Sequence, residues 1–313
     1  YAGAGIIMLT TVIFIVNWID GGARTWMLYP ETELIDHLMV AGDLFLMCLI
    51  IYLSVKYGKV LPIILSVVQT VLVLYTEFTA DVKEGPHMLV DWLTILMCII
   101  IAFIGGFICI YTVGYMKGYH NHHKEVKDRQ PFFFSMLFLF LAAMFGLVLS
   151  QNLVWIYFFW EITSVISFLM IGYTRSEEAV NNSFCALWMN LLGGLGFAVA
   201  IALMAQLHGT LQLLEVVNIG ALLPLMCLSL AGLTKSAQLP FSTWLLGAMV
   251  APTPSSALLH SATMVKAGVY LLIRISPALE GNLVGIIVSS IGGLTFIMAS
   301  MMAIAQNDAK KVL

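Results

Sequence analysis

Four ionisable residues stand inside long apolar runs of this chain: Glu161, Lys235, His260 and Lys266. If those runs cross a bilayer, each group lies at depth, where a charge near the centre costs about 2.5–3.5 kcal/mol even on a lenient insertion scale. Groups kept at depth face a cavity or pair with one another. The bland alternative is an inert buried ion pair that locks the helices together. Pro240 follows Lys235 by five residues in TKSAQLPF. Proline removes a backbone donor and clashes with the preceding turn. Carbonyls freed at membrane depth are tolerated only where protein or a water-filled cavity satisfies them. Transporters build ion sites near the midplane on such breaks, so a buried Lys beside a break is a stronger signal than either alone.

The elements that must position these residues are spanning helices. The chain has 313 residues, 61% hydrophobic and 10% charged, with mean hydropathy +0.98. A soluble domain carries roughly 25% charged residues. A helix needs about 17–25 apolar residues to cross the hydrocarbon core. Ten segments qualify: 1–18, 38–55, 60–76, 90–115, 132–149, 152–173, 184–207, 221–246, 255–275 and 283–305. A transmembrane barrel is excluded, since its strands alternate apolar and polar residues. The fold expected is an all-α polytopic bundle. Glu161 lies about nine residues into its span, near the bilayer middle at about 1.5 Å per residue. Lys266 also lies near the middle, Lys235 somewhat nearer one end of a long helix, and His260 shallower still.

Ten helices send alternate loops to opposite sides. One set (56–59, 117–131, 174–183, 247–254, 306–313) holds nine basic residues, among them Lys56, Lys124, Arg129 and Arg175. The other set (19–37, 77–89, 150–151, 208–220, 276–282) holds only Arg24 and Lys83. The positive-inside rule makes the first set cytoplasmic, and the N-terminal residue with it. The expected location is a cytoplasmic or inner membrane. Arg274, at a helix end, reads as snorkelling to the interface. Asp43 and Asp91 read as interfacial. His120, His122 and His123 read as a solvated loop, since no acidic or cysteine set completes a metal site there. Gly193, Gly194 and Gly196 read as close helix packing. The five cysteines lie in apolar runs without a CxxC pair, against an iron–sulfur or disulfide framework. Tyr1 at the start, no signal-peptide pattern, and a stop just after Lys310 and Lys311 read as cuts from a longer protein.

Two stretches, FFWEITSVISFLMIGY (158–173) and LTKSAQLPFSTWLLGAMVAPTPSSALLHSATMVKAGVYLLIR (233–274), closely resemble the antiporter-like membrane subunits. That family comprises the large membrane subunits of complex I, the Mrp cation/proton antiporters and the energy-converting hydrogenases. VDWLTILMCIIIAFIGGFICIYTVGYM (90–116) resembles the family's third core helix, and NDAKKVL (307–313) the approach to its tenth. STWLLGAMVAPTPSSALLHS (242–261) is most similar to the large membrane subunit of Ech-type hydrogenases.

The resemblance implies inverted five-helix repeats with a broken helix. It divides the chain into an extra helix and loop (1–37), first core helices (38–131), a first repeat forming one channel half (132–275), and a truncated second repeat (276–313). It also implies a buried relay: Lys235 carries the proton, Glu161 tunes it, and Lys266 and His260 pass it on. The implied function is ion translocation, of protons or possibly sodium, coupled to electron transfer in a redox complex. The chain itself would have no redox centre, cofactor or metal. Expected partners are the lipid bilayer, other membrane subunits and peripheral redox subunits (iron–sulfur, hydrogenase-like or NADH dehydrogenase-like) on the cytoplasmic face, with no nucleic acid. The alternative is a stand-alone Mrp-type cation/proton antiporter subunit. A purely structural anchor is disfavoured by Glu161 and Lys235.

Overall fold

A computed structural model describes residues 1–23, 25–28, 33–80, 82–83 and 85–312. Arg24, used above in comparing loop charge, lies outside the described residues. The helices in chain order are α1 (Ala2–Asp20), α2 (Glu33–Lys56), α3 (Val60–Thr79), α4 (Trp92–His122), α5 (Gln130–Leu149), α6 (Leu153–Ile171), α7 (Glu177–His208), α8 (Leu213–Ile219), α9 (Leu222–Lys235), α10 (Thr243–Gly247), α11 (Thr253–Leu279), α12 (Leu283–Ile304) and α13 (Ala309–Val312). Among the described residues nine are long and apolar enough to cross a membrane. The span expected at 221–246 is split instead into α9 and α10. The protein is a polytopic helical bundle.

Local chemistry sets several helix starts. Asp91, Asn152, Ser176 and Asn282 cap α4, α6, α7 and α12, each accepting a backbone N–H of the first turn. Glu177 and Glu178 add negative charge at the positive end of the α7 dipole. The core forms where α6 and α7 meet α3, α5 and α9, while α12 is almost bare. The extra helix α1 packs on α4: Trp18 meets Trp92 edge-on at 4.5 Å, and Met8 rests on Gly106.

The two loop sets gather at opposite ends. At one end a small two-stranded antiparallel sheet pairs Trp26–Leu28 (β1) with Met88–Val90 (β2), across α2 and α3 in the chain. There Gln151 N donates to His87 O (2.8 Å), Leu153 N to Leu211 O (2.8 Å) and Lys83 N to Gly209 O (3.0 Å). These pairings satisfy loop backbone that the helices cannot. The two-stranded sheet is a small departure from a purely helical expectation. At the other end Lys59 Nζ reaches Asn181 Oδ1 (3.1 Å), His120 Nε2 meets Tyr173 OH (3.1 Å), and Lys310 Nζ reaches Ala251 O (3.1 Å). This is the basic set.

Candidate ion-transfer site

Lys235 is the last residue of α9. The helix does not run on to Pro240. Ala237 N donates to Thr234 O (3.2 Å) and Gln238 N to Leu233 O (3.0 Å). Ala237 sits in the left-handed region at φ 54. That is a Schellman turn with alanine where glycine is usual. Beyond the break the Trp244 indole also donates to Thr234 O (3.0 Å). The break expected at Pro240 falls within the interruption between α9 and α10, which begins earlier, at this cap. The cap satisfies the freed carbonyls first, and Pro240, after a cis Leu239–Pro240 peptide, follows it.

The Lys235 side chain is fully buried. Its Nζ donates to Trp160 O (3.0 Å) and Ser164 Oγ (2.7 Å), and lies 4.9 Å from the Trp160 ring centroid. The ammonium also stands at the negative end of its own helix dipole.

Glu161 lies between those two anchors on α6 and is 3% exposed. Among the described residues no ion pair joins it to Lys235. Neither carboxylate oxygen has a hydrogen bond of good geometry, although the Gln69 amide stands beside it. Space for this pair comes from Gly194 on α7. A Cβ there would collide with Glu161 Oε1 and come within 2.8 Å of Gln69 Oε1. Gly193 and Gly196 face α9 instead: a Cβ would strike Thr234 Oγ1 at the first and lie 3.0 Å from Cys227 O at the second. Two of the three glycines thus allow helix packing, and the third makes room for a carboxylate. Asn190 Oδ1, Ser229 Oγ and Trp160 Nε1, on the same helices, are also buried without partners.

Among the described residues no hydrogen bond or ion pair joins the other two expected site residues to this pair. His260 lies in a π-helical stretch, Ala257–Ala262, inside α11. Both its ring nitrogens are buried without a partner, and Lys310 is its charged neighbour. Wide turns of this kind recur at functional positions. Lys266 begins the regular part of α11 and is exposed on the bundle's outer side. The histidine-rich loop is engaged locally: His120 with Tyr173 and Asp128, His123 with Glu125.

Sequence reasoning missed Asp43. It is 7% exposed, and Glu161 and Glu77 are its charged neighbours. The helix α2 begins at Glu33, ahead of the apolar run, so Asp43 sits about 15 Å along it and not near its end. Two turns earlier on α2, Asp36 accepts the Trp155 indole N–H (2.7 Å) at the end that carries β1 and β2, and Glu77 is a charged neighbour of Asp36. Acidic residues two turns apart on a helix are a signal, visible once the helix start is known. Arg274 is likewise not free to snorkel. It forms a two-pronged ion pair with Asp91, donates to Thr94 Oγ1 (2.6 Å) and stacks 5.0 Å from the Tyr270 ring centroid.

Residues 150–313 match the family model described as NADH:quinone oxidoreductase/Mrp antiporter, TM, and residues 80–124 match that for the N-terminus of complex I chain 5. The chain is 38% identical over 233 residues to the antiporter subunit named mnhA2 of Staphylococcus aureus strain COL, and 37% to that of strain JH9. Each alignment takes in 71% of this chain and 28% of the relative, so the chain spans under a third of those proteins' length. A chain in the solved Mrp complex from Dietzia sp. DQ12-45-1b is similar at 27% identity and TM-score 0.63, over 88% of this chain and 32% of that one. The protein belongs to the NADH:quinone oxidoreductase/Mrp antiporter family of membrane subunits.

Proposed function

We propose that this chain carries one ion-transferring half of an antiporter-like subunit, with Lys235 as the proton carrier and Glu161 as the charge that tunes it. The observation that supports this is the way the pair is held. An inert locking pair would close into a direct ion pair; here the ammonium docks on a carbonyl and a hydroxyl, and the carboxylate has the Gln69 amide beside it and no direct bond to Lys235. Both groups remain free to change protonation. The unpartnered polar atoms around them suit a hydrated path, because buried polar groups are ordinarily served by protein or water. Asp43, Glu77 and Asp36 extend that path toward the end that carries β1 and β2. His260, and Lys266 on the outer face of α11, extend it toward other parts of the assembly. The basic end is cytoplasmic on this reading, and 132–275 is the first of two inverted repeats.

The test is ion transport per assembled complex in sealed vesicles. Lys235→Met and Asp43→Asn should each lower it with assembly intact. Near-normal transport by an assembled Lys235→Met complex would overturn the relay.

Two settings fit this machinery. The curated relatives bear the name of an antiporter subunit and the solved structure that of an Mrp complex, which favours cation/proton exchange without electron transfer. The stretch 242–261 favours a redox-driven complex of the hydrogenase or complex I kind, with peripheral redox subunits on the basic face. Purification of the native assembly separates them: iron–sulfur proteins at fixed stoichiometry support the second, and only membrane subunits the first.

A further inference from the structure

Helices α2 and α5 both pack on α6 but stand apart from each other, leaving a lateral groove of about 670 Å³. Its floor is one face of α6, with Phe158, Ile162, Val165, Ile166 and Leu169 in helical register. Glu161 and Ser164 point to the other side of that helix, toward Gln69 and Lys235. Along α2 the groove runs from Gly42 to Lys56, about 21 Å. That is more than half of a hydrocarbon core of about 30 Å, enough to cross one leaflet.

One end of this groove is charged. Lys56, Arg129 and Arg175 line it, and no carboxylate does. Arg129 is aimed into place by its bond to Tyr173 O and its stacking 5.1 Å from the Tyr173 ring centroid. Its Nε is buried without a partner. Burial, and then the neighbouring Arg175 charge, push the Arg129 guanidinium below its ordinary value. Two guanidiniums and an ammonium at the mouth of an apolar slot are matched by an anion with a long apolar tail.

We infer that this groove binds an anionic phospholipid, its phosphate held by Lys56, Arg129 and Arg175 and its acyl chain laid along the back of α6. The three cations sit at the interface where a headgroup lies, and the apolar floor begins directly below them. Such a lipid also closes the gap between α2 and α5, holding Asp43 and Glu161 on neighbouring helices.

The test uses the full protein containing this chain, purified in mild detergent, delipidated and titrated with phosphatidylglycerol or phosphatidylcholine of the same chain length, with retained lipid read by native mass spectrometry. Phosphatidylglycerol should be retained more strongly. The double variant Lys56→Gln/Arg175→Gln leaves the Arg129–Tyr173 bond in place, and should weaken phosphatidylglycerol on the order of tenfold with little change for phosphatidylcholine. Val165→Trp, which fills the floor, should weaken both lipids and covers the case in which the double variant fails to fold. Equal retention of the two lipids by the unaltered protein overturns the inference. So does undiminished phosphatidylglycerol in either variant. A photo-crosslinker at Phe45 that captures another protein segment, with no lipid adduct, overturns it as well.

Discussion

Lys235 and Glu161 share one short stretch of α6, since the lysine is bonded to Trp160 and Ser164 on either side of the carboxylate. Removing either should disturb the same step. Lys235→Met and Glu161→Gln should each cut transport on the order of a hundredfold, the range for a positioned proton-transfer group. The double variant should be little worse than the poorer single one, because coupled residues are not additive. A locking pair predicts recovery in the neutral double variant instead. Gly194→Ala places a methyl against the carboxylate and Gln69. We expect it to cost about 1–3 kcal/mol in thermal unfolding and to lower transport, whereas Gly5→Ala, with open space around it, should do neither. At Asp91, burial raises the carboxyl, but the Arg274 pair and the Thr94 N–H outweigh it and leave the carboxyl below its ordinary value. A depressed carboxyl contributes stability that is present above its unfolded value, about 3.9, and is lost as pH falls through the folded one. Asp91→Asn should therefore destabilise the neutral-pH protein by on the order of 2 kcal/mol. It should also flatten the loss of stability below about pH 4. An unchanged acid profile would remove Asp91 from that account.

At the scale of elements, the break after α9 belongs to its Schellman cap. Ala237 is held left-handed, which costs a residue with a Cβ roughly 1–2 kcal/mol. Ala237→Gly should relieve that and raise the unfolding temperature without loss of transport. Pro240→Ala should keep the break, because Leu233 and Thr234 carbonyls are already taken. Transport lost in an assembled Pro240→Ala protein would return the break to the proline.

For the whole molecule, the loop sets define two ends. Cysteines replacing Lys56 and Lys124 should react with an impermeant reagent from one side of sealed vesicles, and a cysteine replacing Lys83 only from the other. Labelling of all three from a single side would refute the topology. Helices α11 and α12 leave Lys266 and much apolar surface exposed, which suits contact with lipid or with further membrane subunits.

Hydropathy alone determined nine of the ten expected spanning helices, all but 221–246, because a run of apolar residues long enough to cross a bilayer has few other stable homes. The alternation of those helices likewise determined which loops lie together. It was also legible that Glu161 and Lys235 sit at depth, since depth is a count along a helix. Which groups meet is a matter of packing. Only the tertiary structure put Asp43 beside Glu161, because α2 starts at Glu33, before its apolar run, and so lies deeper than hydropathy places it. It alone bonded Lys235 to Trp160 and Ser164 rather than to the carboxylate, and turned Arg274 to Asp91. Those choices depend on how helices distant in sequence are rotated against one another, and Gly194 permits the approach at Glu161 only through the partners α7 happens to face.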